Sequence, residues 1–326
     1  MKKYDCLIVD MVNFCHRTFK IKDDTLINIL QNSTAIYQNS VCKAITSLEK
    51  LCQNFLKEEA SPVYLLFDNY FSKADMQSTF LYAGRKQLNE AYKSNRKKDL
   101  KEFYQTVNFL KYYYLIGPSR FYTVQITDLE ADDLVKPLLQ ARCTDKSSLM
   151  ITTDLDWARY LSENVDWLPD MAAAPQTAEE LSQKLGFPVT ETNIILYKAV
   201  FGDTSDNIEA LVKETATNRK QLFEIFKHVQ YPNDIFMLYR DPEIRIQYPL
   251  LSEIMEINKK KYGTEGKLSA NIYLVSAIPC STVVLEKHLT KGRNSEMLYD
   301  SVRKVIGLSE HKVKFTFGGV TVKKEN

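Results

Sequence analysis

The sequence predicts an α/β protein built on a mainly parallel sheet. Three segments carry this: Cys6-Leu7-Ile8-Val9-Asp10, Pro62-Val63-Tyr64-Leu65-Leu66-Phe67-Asp68 and Leu149-Met150-Ile151-Thr152-Thr153-Asp154 are each a short apolar run that ends in an acid. Runs of this length between polar residues read as buried strands. Between the first two, Val41, Ala44, Ile45, Leu48, Leu51, Cys52 and Phe55 recur at helical spacing and give one apolar face. Strand, helix and strand make a βαβ unit, whose strands run parallel. Such a sheet gathers its ligands beyond the C-terminal ends of its strands, and Asp10 and Asp68 would both lie there.

The other elements follow in order. Asn13–Phe19 reads as the start of a helix, with Arg17 available for an anion. Residues 22–40 are polar and weakly patterned, so a loop or small insertion is expected, and the helix is placed at Val41–Leu56. Residues 82–101 change character: Arg85, Lys86, Lys93, Arg96, Lys97, Lys98 and Lys101 outnumber Glu90 and Asp99, with Tyr82 and Tyr92 interleaved. Basic side chains neutralise phosphates and aromatic faces stack on bases, although a solvated basic helix face has the same composition. Leu100–Leu115 is helix-like, and its Tyr112-Tyr113-Tyr114 run reads as packing. Gly117-Pro118 ends it, and Phe121–Val124 reads as a strand.

Thr127–Leu134 follows, with Asp128, Glu130, Asp132 and Asp133 inside six positions. Glu130 and Asp132 share a face if the segment is extended, and Glu130 and Asp133 share one if it is helical. A helix is expected over Asp132–Arg142, with Pro137 near its start, where proline does least harm. Asp154 and Asp156 are two apart and can face one side of an extended loop. Val165–Leu168 reads as a further strand and Thr192–Phe201 as an apolar helix. In Gly202-Asp203-Thr204-Ser205-Asp206-Asn207, Asp203 and Asp206 share one face of a turn. The remainder looks helical around Arg219–Val229, Pro249–Tyr262 and Glu296–Ile306, and the alternating Val313–Val322 suggests a terminal hairpin.

Length and composition narrow the function classes. The 326 residues suit one large or two moderate domains, with a division expected near residue 205. With 44% hydrophobic and 26% charged residues a sizeable core can form. The net charge of +2 means that a nucleic-acid partner must be sought in local charge. The six cysteines form no CxxC pair, which argues against a zinc or disulfide framework. No apolar stretch approaches the ~20 residues of a membrane span. A soluble intracellular protein is expected, with no membrane partner.

The acids then form one constellation. Asp10, Asp68, Glu130, Asp132, Asp133, Asp154, Asp156, Asp203 and Asp206 would converge on one end of one parallel sheet, without recurring histidine or cysteine. All-oxygen ligation selects Mg²⁺ or Mn²⁺ over zinc. So many carboxylates suggest two ions, which suit in-line attack on a phosphodiester. The bland alternative for Glu130–Asp133 alone is an acidic helix N-terminus that suits the helix dipole.

The order of these motifs resembles the 5′-nuclease superfamily, which includes bacteriophage 5′–3′ exonucleases and RNase H enzymes, the 5′-nuclease domain of bacterial DNA polymerase I, and flap endonucleases. The matching stretches are Leu7–Asp10 with Arg17-Thr18-Phe19, Leu65–Asp68, Tyr92–Arg96, Glu130–Asp133, Thr152–Asp156 and Gly202–Asn207, over roughly residues 5–208. The resemblance implies a doubly wound, PIN-like sheet with helices on both faces. It implies a first Mg²⁺ site near Asp10, Asp68, Glu130 and Asp132, and a second served by Asp133, Asp154, Asp156 and Asp206, with Asp203 acting through water. Mn²⁺ would be a substitute. Residues 82–101 would form a helical arch, in which Lys93 and Arg96 clamp the scissile phosphate and Arg85, Lys86, Tyr92, Lys97 and Lys98 meet nucleic acid. Arg17 would contact a phosphate.

One region departs from the pattern. Many relatives carry a glycine-containing helix–hairpin–helix after the motif matched by Gly202–Asn207, but Ile208–Ala216 has no glycine. Duplex binding there is expected to use side chains such as Lys213 and Lys220. The resulting expectation is a catalytic domain over 1–205 and a mostly helical duplex-binding domain over 206–326. It would be a monomeric, stand-alone nuclease of the cytoplasm of a bacterial or phage-infected cell. It would cleave DNA flaps and nicks or the RNA primers of RNA–DNA duplexes, with a single-strand-binding protein or sliding clamp as the class of protein partner. Two alternatives stay open: a PIN-type ribonuclease, and a catalytically silent nucleic-acid-binding protein.

Overall fold

The computed structural model describes residues 2–19, 33–68, 85, 92, 101–127, 129–259, 261–262, 265–305, 308, 313–316 and 319–322. Strands β1 (Cys6–Asp10), β2 (Val63–Leu66), β3 (Phe121–Val124), β4 (Ser148–Ile151) and β5 (Val165–Leu168) coincide with the apolar runs of the sequence. Strands β6 (Lys261–Tyr262) and β7 (Glu265–Gly266) make a small antiparallel pair of their own. Strand β8 (Thr290–Lys291) joins the main sheet, and β9 (Val313–Thr316) and β10 (Gly319–Val322) form the hairpin expected at the end of the chain.

The main sheet has the order β5-β4-β1-β2-β3-β8. The first five strands run parallel and β8 lies antiparallel along β3. In register, Asp10 pairs with Leu66 and Val9 with Ile151, so β1, β2 and β4 end at one edge. That edge lies where a parallel sheet places its ligands.

Alternation along the strands divides the core in two. Leu7 and Val9 face a layer with Val63, Leu65, Leu149 and Ile151, covered by helices Met11–Phe19, Ser33–Phe55 and Lys101–Ile116. Cys6 and Ile8 face the opposite layer with Tyr64, Leu66, Val124 and Met150. Helices Ala131–Arg142, Glu191–Phe201, Ala216–Phe226, Pro249–Asn258 and Lys267–Val275 contribute buried residues to that second layer. A sheet buried on both faces needs near-continuous apolar strands, and β1, β2 and β4 are buried at every position. The fold is therefore doubly wound, with a mostly helical C-terminal region.

Several local expectations change. The second helix begins at Ser33, ahead of the apolar spacing that starts at Val41, because a nucleated helix extends along polar residues. Pro137 lies in the interior of the Ala131–Arg142 helix rather than near its start. Leu155–Tyr160 forms a 3₁₀ helix in place of an extended loop, with Asp154 as its N-cap. The Pro249 helix stops at Asn258, and Lys261-Tyr262 pairs as β6. Tyr113 and Tyr114 pack in the interior as expected, while Tyr112 is 65% exposed. Among the described residues no helix is long and apolar enough to cross a membrane.

Candidate active site

The strand ends bring the acids together through a chain of short backbone and hydroxyl contacts. Asp10 closes β1, and its two carboxylate oxygens accept from the Asn13 N–H and the Thr152 hydroxyl, both at 3.0 Å. Thr152, just past β4, also accepts the Asp154 N–H at 3.1 Å. Asp154 in turn accepts the Asp156 N–H at 2.9 Å. One threonine thus ties the end of β1 to the acidic turn after β4. Asp68 follows β2, and its Oδ1 accepts the Ala131 N–H at 2.7 Å, which fixes the first turn of the helix that carries Asp132.

The electrostatics follow from this crowding. Burial pushes the Asp10 carboxyl well above the usual carboxylate range, and the charges of Asp68 and Asp154 add to it. Burial, then the charge of Asp156, pushes Asp154 up to about 7. Carboxylates behave this way when they are crowded together out of water, and a bound cation relieves it. Two cations of the protein do part of this. Arg159, fully buried, lies 3.1 Å from Asp156 Oδ1 and 3.7 Å from Asp132 Oδ2, and donates to the Asp156 and Val275 carbonyls. Lys198 reaches in from the Glu191–Phe201 helix, 2.7 Å from Asp156 and 2.6 Å from Asp203.

The last acidic turn is shaped by its backbone. Gly202 has φ +81°, and a Cβ there would come within 2.6 Å of the Ala210 nitrogen and 2.7 Å of the Ile208 carbonyl. Asp203 and Ile208 exchange backbone hydrogen bonds at 2.9 and 2.8 Å across this turn. Asn207 takes the left-handed φ of 58°, which asparagine tolerates. Burial alone would raise the Asp203 carboxyl, but Lys198 and the Ser205 hydroxyl and N–H hold it low. Oxygens of Asp156, Asp203 and Asp206 lie within 4.8 Å of one another. An all-carboxylate donor set of this spacing, partly desolvated and mutually repelling, fits a hard divalent cation.

These contacts connect Asp10, Asp68, Asp132, Asp154, Asp156, Asp203 and Asp206, while Glu130 and Asp133 share Arg85. Asp133 is buried in the first turn of the Ala131–Arg142 helix. Its Oδ2 accepts the Glu130 N–H at 3.0 Å and its Oδ1 the Ile278 N–H at 2.6 Å, with Arg85 at 3.5 Å. Burial and the neighbouring Asp132 push it up to about 7.

The expected nucleic-acid contacts divide three ways. Arg85 and Tyr92, expected at the nucleic-acid interface, lie instead in the interior, 2% and 1% exposed. Arg85 donates to the Ser276 carbonyl at 2.8 Å and to Glu130 at 3.4 Å, and the Tyr92 hydroxyl donates to Asp206 at 3.3 Å. Buried groups with these partners present no face to a base or phosphate. Lys213 and Lys220 are exposed, while Arg17 is half-buried, 3.7 Å from Asp170. Lys86, Lys93, Arg96, Lys97 and Lys98 lie outside the described residues, as does most of the expected arch. The sequence reading missed Arg159 and Lys198. Lys198 had a signal: it is a single charge inside the otherwise apolar run Ile194–Val200, and a buried charge must be paired.

Comparison with known proteins agrees with this fold. Residues 5–186 match the family model described as the 5′-3′ exonuclease, N-terminal resolvase-like domain. No curated protein sequence matches the chain. Among solved structures it is similar to a T5 protein co-crystallised with metal ions, at 16% identity and a TM-score of 0.56, over 95% of this chain and all of that one. The T5 5′-exonuclease with bound zinc ions gives 17% identity and a TM-score of 0.55 over the same shares. The bacteriophage T5 flap endonuclease, as a variant in a pseudo-enzyme–product complex with DNA and metal ions, gives 16% and 0.56 over 94% of this chain and all of that one. At these identities the likeness is one of fold.

Proposed function

The chain belongs to the 5′-3′ exonuclease family with an N-terminal resolvase-like domain, and from that premise we propose a structure-specific 5′–3′ exonuclease and flap endonuclease. It would hydrolyse phosphodiester bonds of DNA flaps and nicks or of RNA primers in RNA–DNA duplexes, in replication or repair. The observation that carries this reading is the gathering of carboxylates from the ends of β1, β2 and β4 and from the turn at Asp203–Asp206, with the oxygens of Asp156, Asp203 and Asp206 within 4.8 Å.

Asp10, Asp68, Glu130 and Asp132 would hold one divalent ion, and Asp154, Asp156, Asp203 and Asp206 the other. Mg²⁺ suits these hard oxygen donors, with Mn²⁺ as a substitute. When bound, such a pair supplies an activated water and neutralises the charge of the leaving oxygen. Asp133 would serve the site from behind, by holding the first turn of the Ala131–Arg142 helix so that Asp132 faces the sheet edge. Arg85 and Tyr92 would act in the same indirect way, through Glu130 and Asp206.

Lys93 and Arg96 would meet the charge that develops on the phosphate, where a well-placed donor counts most in the transition state. Arg17, Lys86, Lys97, Lys98, Lys213 and Lys220 would neutralise phosphates along the strand and duplex. The complex of the T5 flap endonuclease with DNA and metal ions supports pairing the two here. We further propose that residues 1–205 carry catalysis and 206–326 duplex binding. The chain would work as a cytoplasmic monomer, with a single-strand-binding protein or sliding clamp as its class of partner.

Cleavage of 5′-labelled flap, nicked and RNA-primed duplexes tests the reading. Short 5′ products are expected with Mg²⁺ or Mn²⁺ and none with chelator. Cleavage of unpaired RNA alone would favour the PIN-type ribonuclease, and binding without cleavage would favour a silent binder.

A further inference from the structure

The Lys198 ammonium lies among the acids assigned above to the second ion. Its Nζ lies 2.7 Å from Asp156 Oδ1 and 2.6 Å from Asp203 Oδ2. Asp156 and Asp203 belong to the trio whose oxygens lie within 4.8 Å of one another. The lysine is buried, on a helix whose Ile194, Ile195, Leu196, Ala199 and Val200 are buried too. Asp156 Oδ1 is buried, with the Lys198 ammonium and the Arg159 guanidinium both against it. Two cationic nitrogens, at 2.7 and 3.1 Å, thus share this one carboxylate oxygen.

We propose that Lys198 is a resident cation of the second carboxylate group, which holds Asp156 and Asp203 together in the ion-free protein and competes with the second divalent ion for their oxygens. This rests on the two-ion reading above. A buried carboxylate cluster without counter-charge repels itself and opens. An ammonium built into the helix prevents that at every ion concentration. The same charge disfavours a divalent ion a few ångströms away, so the second group binds its ion more weakly than its carboxylates alone would. Lys198 is in this sense a positioning residue: it sets the shape and the affinity of the group without touching substrate.

The test is a Mn²⁺ titration of the full chain, followed by calorimetry or by the electron paramagnetic resonance of free Mn²⁺, with melting curves in chelator and in saturating Mn²⁺. The unmodified protein is expected to show two binding steps. In Lys198→Met the weaker step should tighten about tenfold or more, by removal of a like charge from beside the ion. The melting temperature in chelator should fall by several degrees, and the two proteins should converge in saturating Mn²⁺. Lys198→Arg keeps the charge and should keep the weaker step weak. If Lys198→Met does not fold in chelator, Mn²⁺ should restore its folding. Two steps in the unmodified protein with an unchanged or weakened second step in Lys198→Met would overturn the proposal alone. So would an unchanged melting temperature in chelator, or a variant that no Mn²⁺ concentration folds. Fewer than two ions bound by the unmodified protein would overturn the two-ion reading, and the proposal with it.

Discussion

Asp68 Oδ1 accepts the backbone N–H of Ala131 at 2.7 Å, so the acid that follows β2 also caps the helix that carries Asp132. One side chain thereby joins two stretches of sequence more than sixty residues apart, and it does so while its charge raises the neighbouring Asp10. Asp68→Asn keeps an oxygen for the Ala131 N–H and removes the repulsion. Its melting temperature without ions is expected to rise, by on the order of 1 kcal/mol in stability, the equivalent of a one-unit pKa shift. The further rise on adding Mg²⁺ should shrink. A variant less stable than the parent in chelator would mean that Asp68 is held chiefly by its charge.

Arg85 neutralises Asp133 in the interior, where both side chains are almost wholly buried. Removing one partner leaves an uncompensated charge and typically costs about 3–5 kcal/mol. Arg85→Ala is therefore expected to lower the urea midpoint strongly. A loss of DNA affinity with unchanged stability would place Arg85 on the nucleic acid instead.

Stability without ions should fall as pH rises. Burial, with neighbouring carboxylates adding, pushes Asp133 and Asp154 up to about 7, and Asp10 well above its usual range. Unfolded, these groups titrate near 4. Between about pH 4 and 7 the native state binds more protons than the unfolded state, so stability declines through that window, by at most ~1.4 kcal/mol per pH unit and group. Above it the loss is complete for Asp133 and Asp154. Mg²⁺ binds the ionised forms and should stabilise the protein most at pH 8, with about 2.7 kcal/mol per site at a hundredfold excess over its Kd. Melting curves in chelator at pH 5 and 8 check the sign, and greater stability at pH 8 would contradict it.

The architecture was legible because buried parallel strands need unbroken apolar runs and because the acids close those runs. Asp10, Asp68 and Asp154 were therefore placed by the sheet alone. The role of Asp133 was not legible, since a carboxylate that serves two backbone N–H groups looks the same in sequence as one that faces an ion. Arg85 and Tyr92 read as surface groups because the residues around them are basic, while their burial depends on Ser276, Glu130 and Asp206 far along the chain. Strand β8 has two residues, too few to show a period.

Affinity for duplex DNA should come from exposed lysines in the C-terminal part. None of the residues 208–216 takes a positive φ, which a close backbone approach to phosphates would need. Lys213 and Lys220 are exposed. Each phosphate contact contributes about 0.9 to the salt slope on duplex DNA. Lys213→Ala with Lys220→Ala should lower the slope by roughly one to two such contacts and leave cleavage at saturating DNA little changed. An identical slope would move the duplex to another surface.

The central claim is that these carboxylates hold the ions that cleave the phosphodiester bond, while the basic side chains hold the substrate. The direct measurement is single-turnover cleavage of a 5′-labelled flap in Mg²⁺ by Asp132→Asn and by Asp154→Asn, beside their affinity for the same flap. The account predicts that each variant binds with nearly unchanged Kd and does not cleave. Cleavage by either at the rate of the unmodified protein, or in chelator, would contradict it.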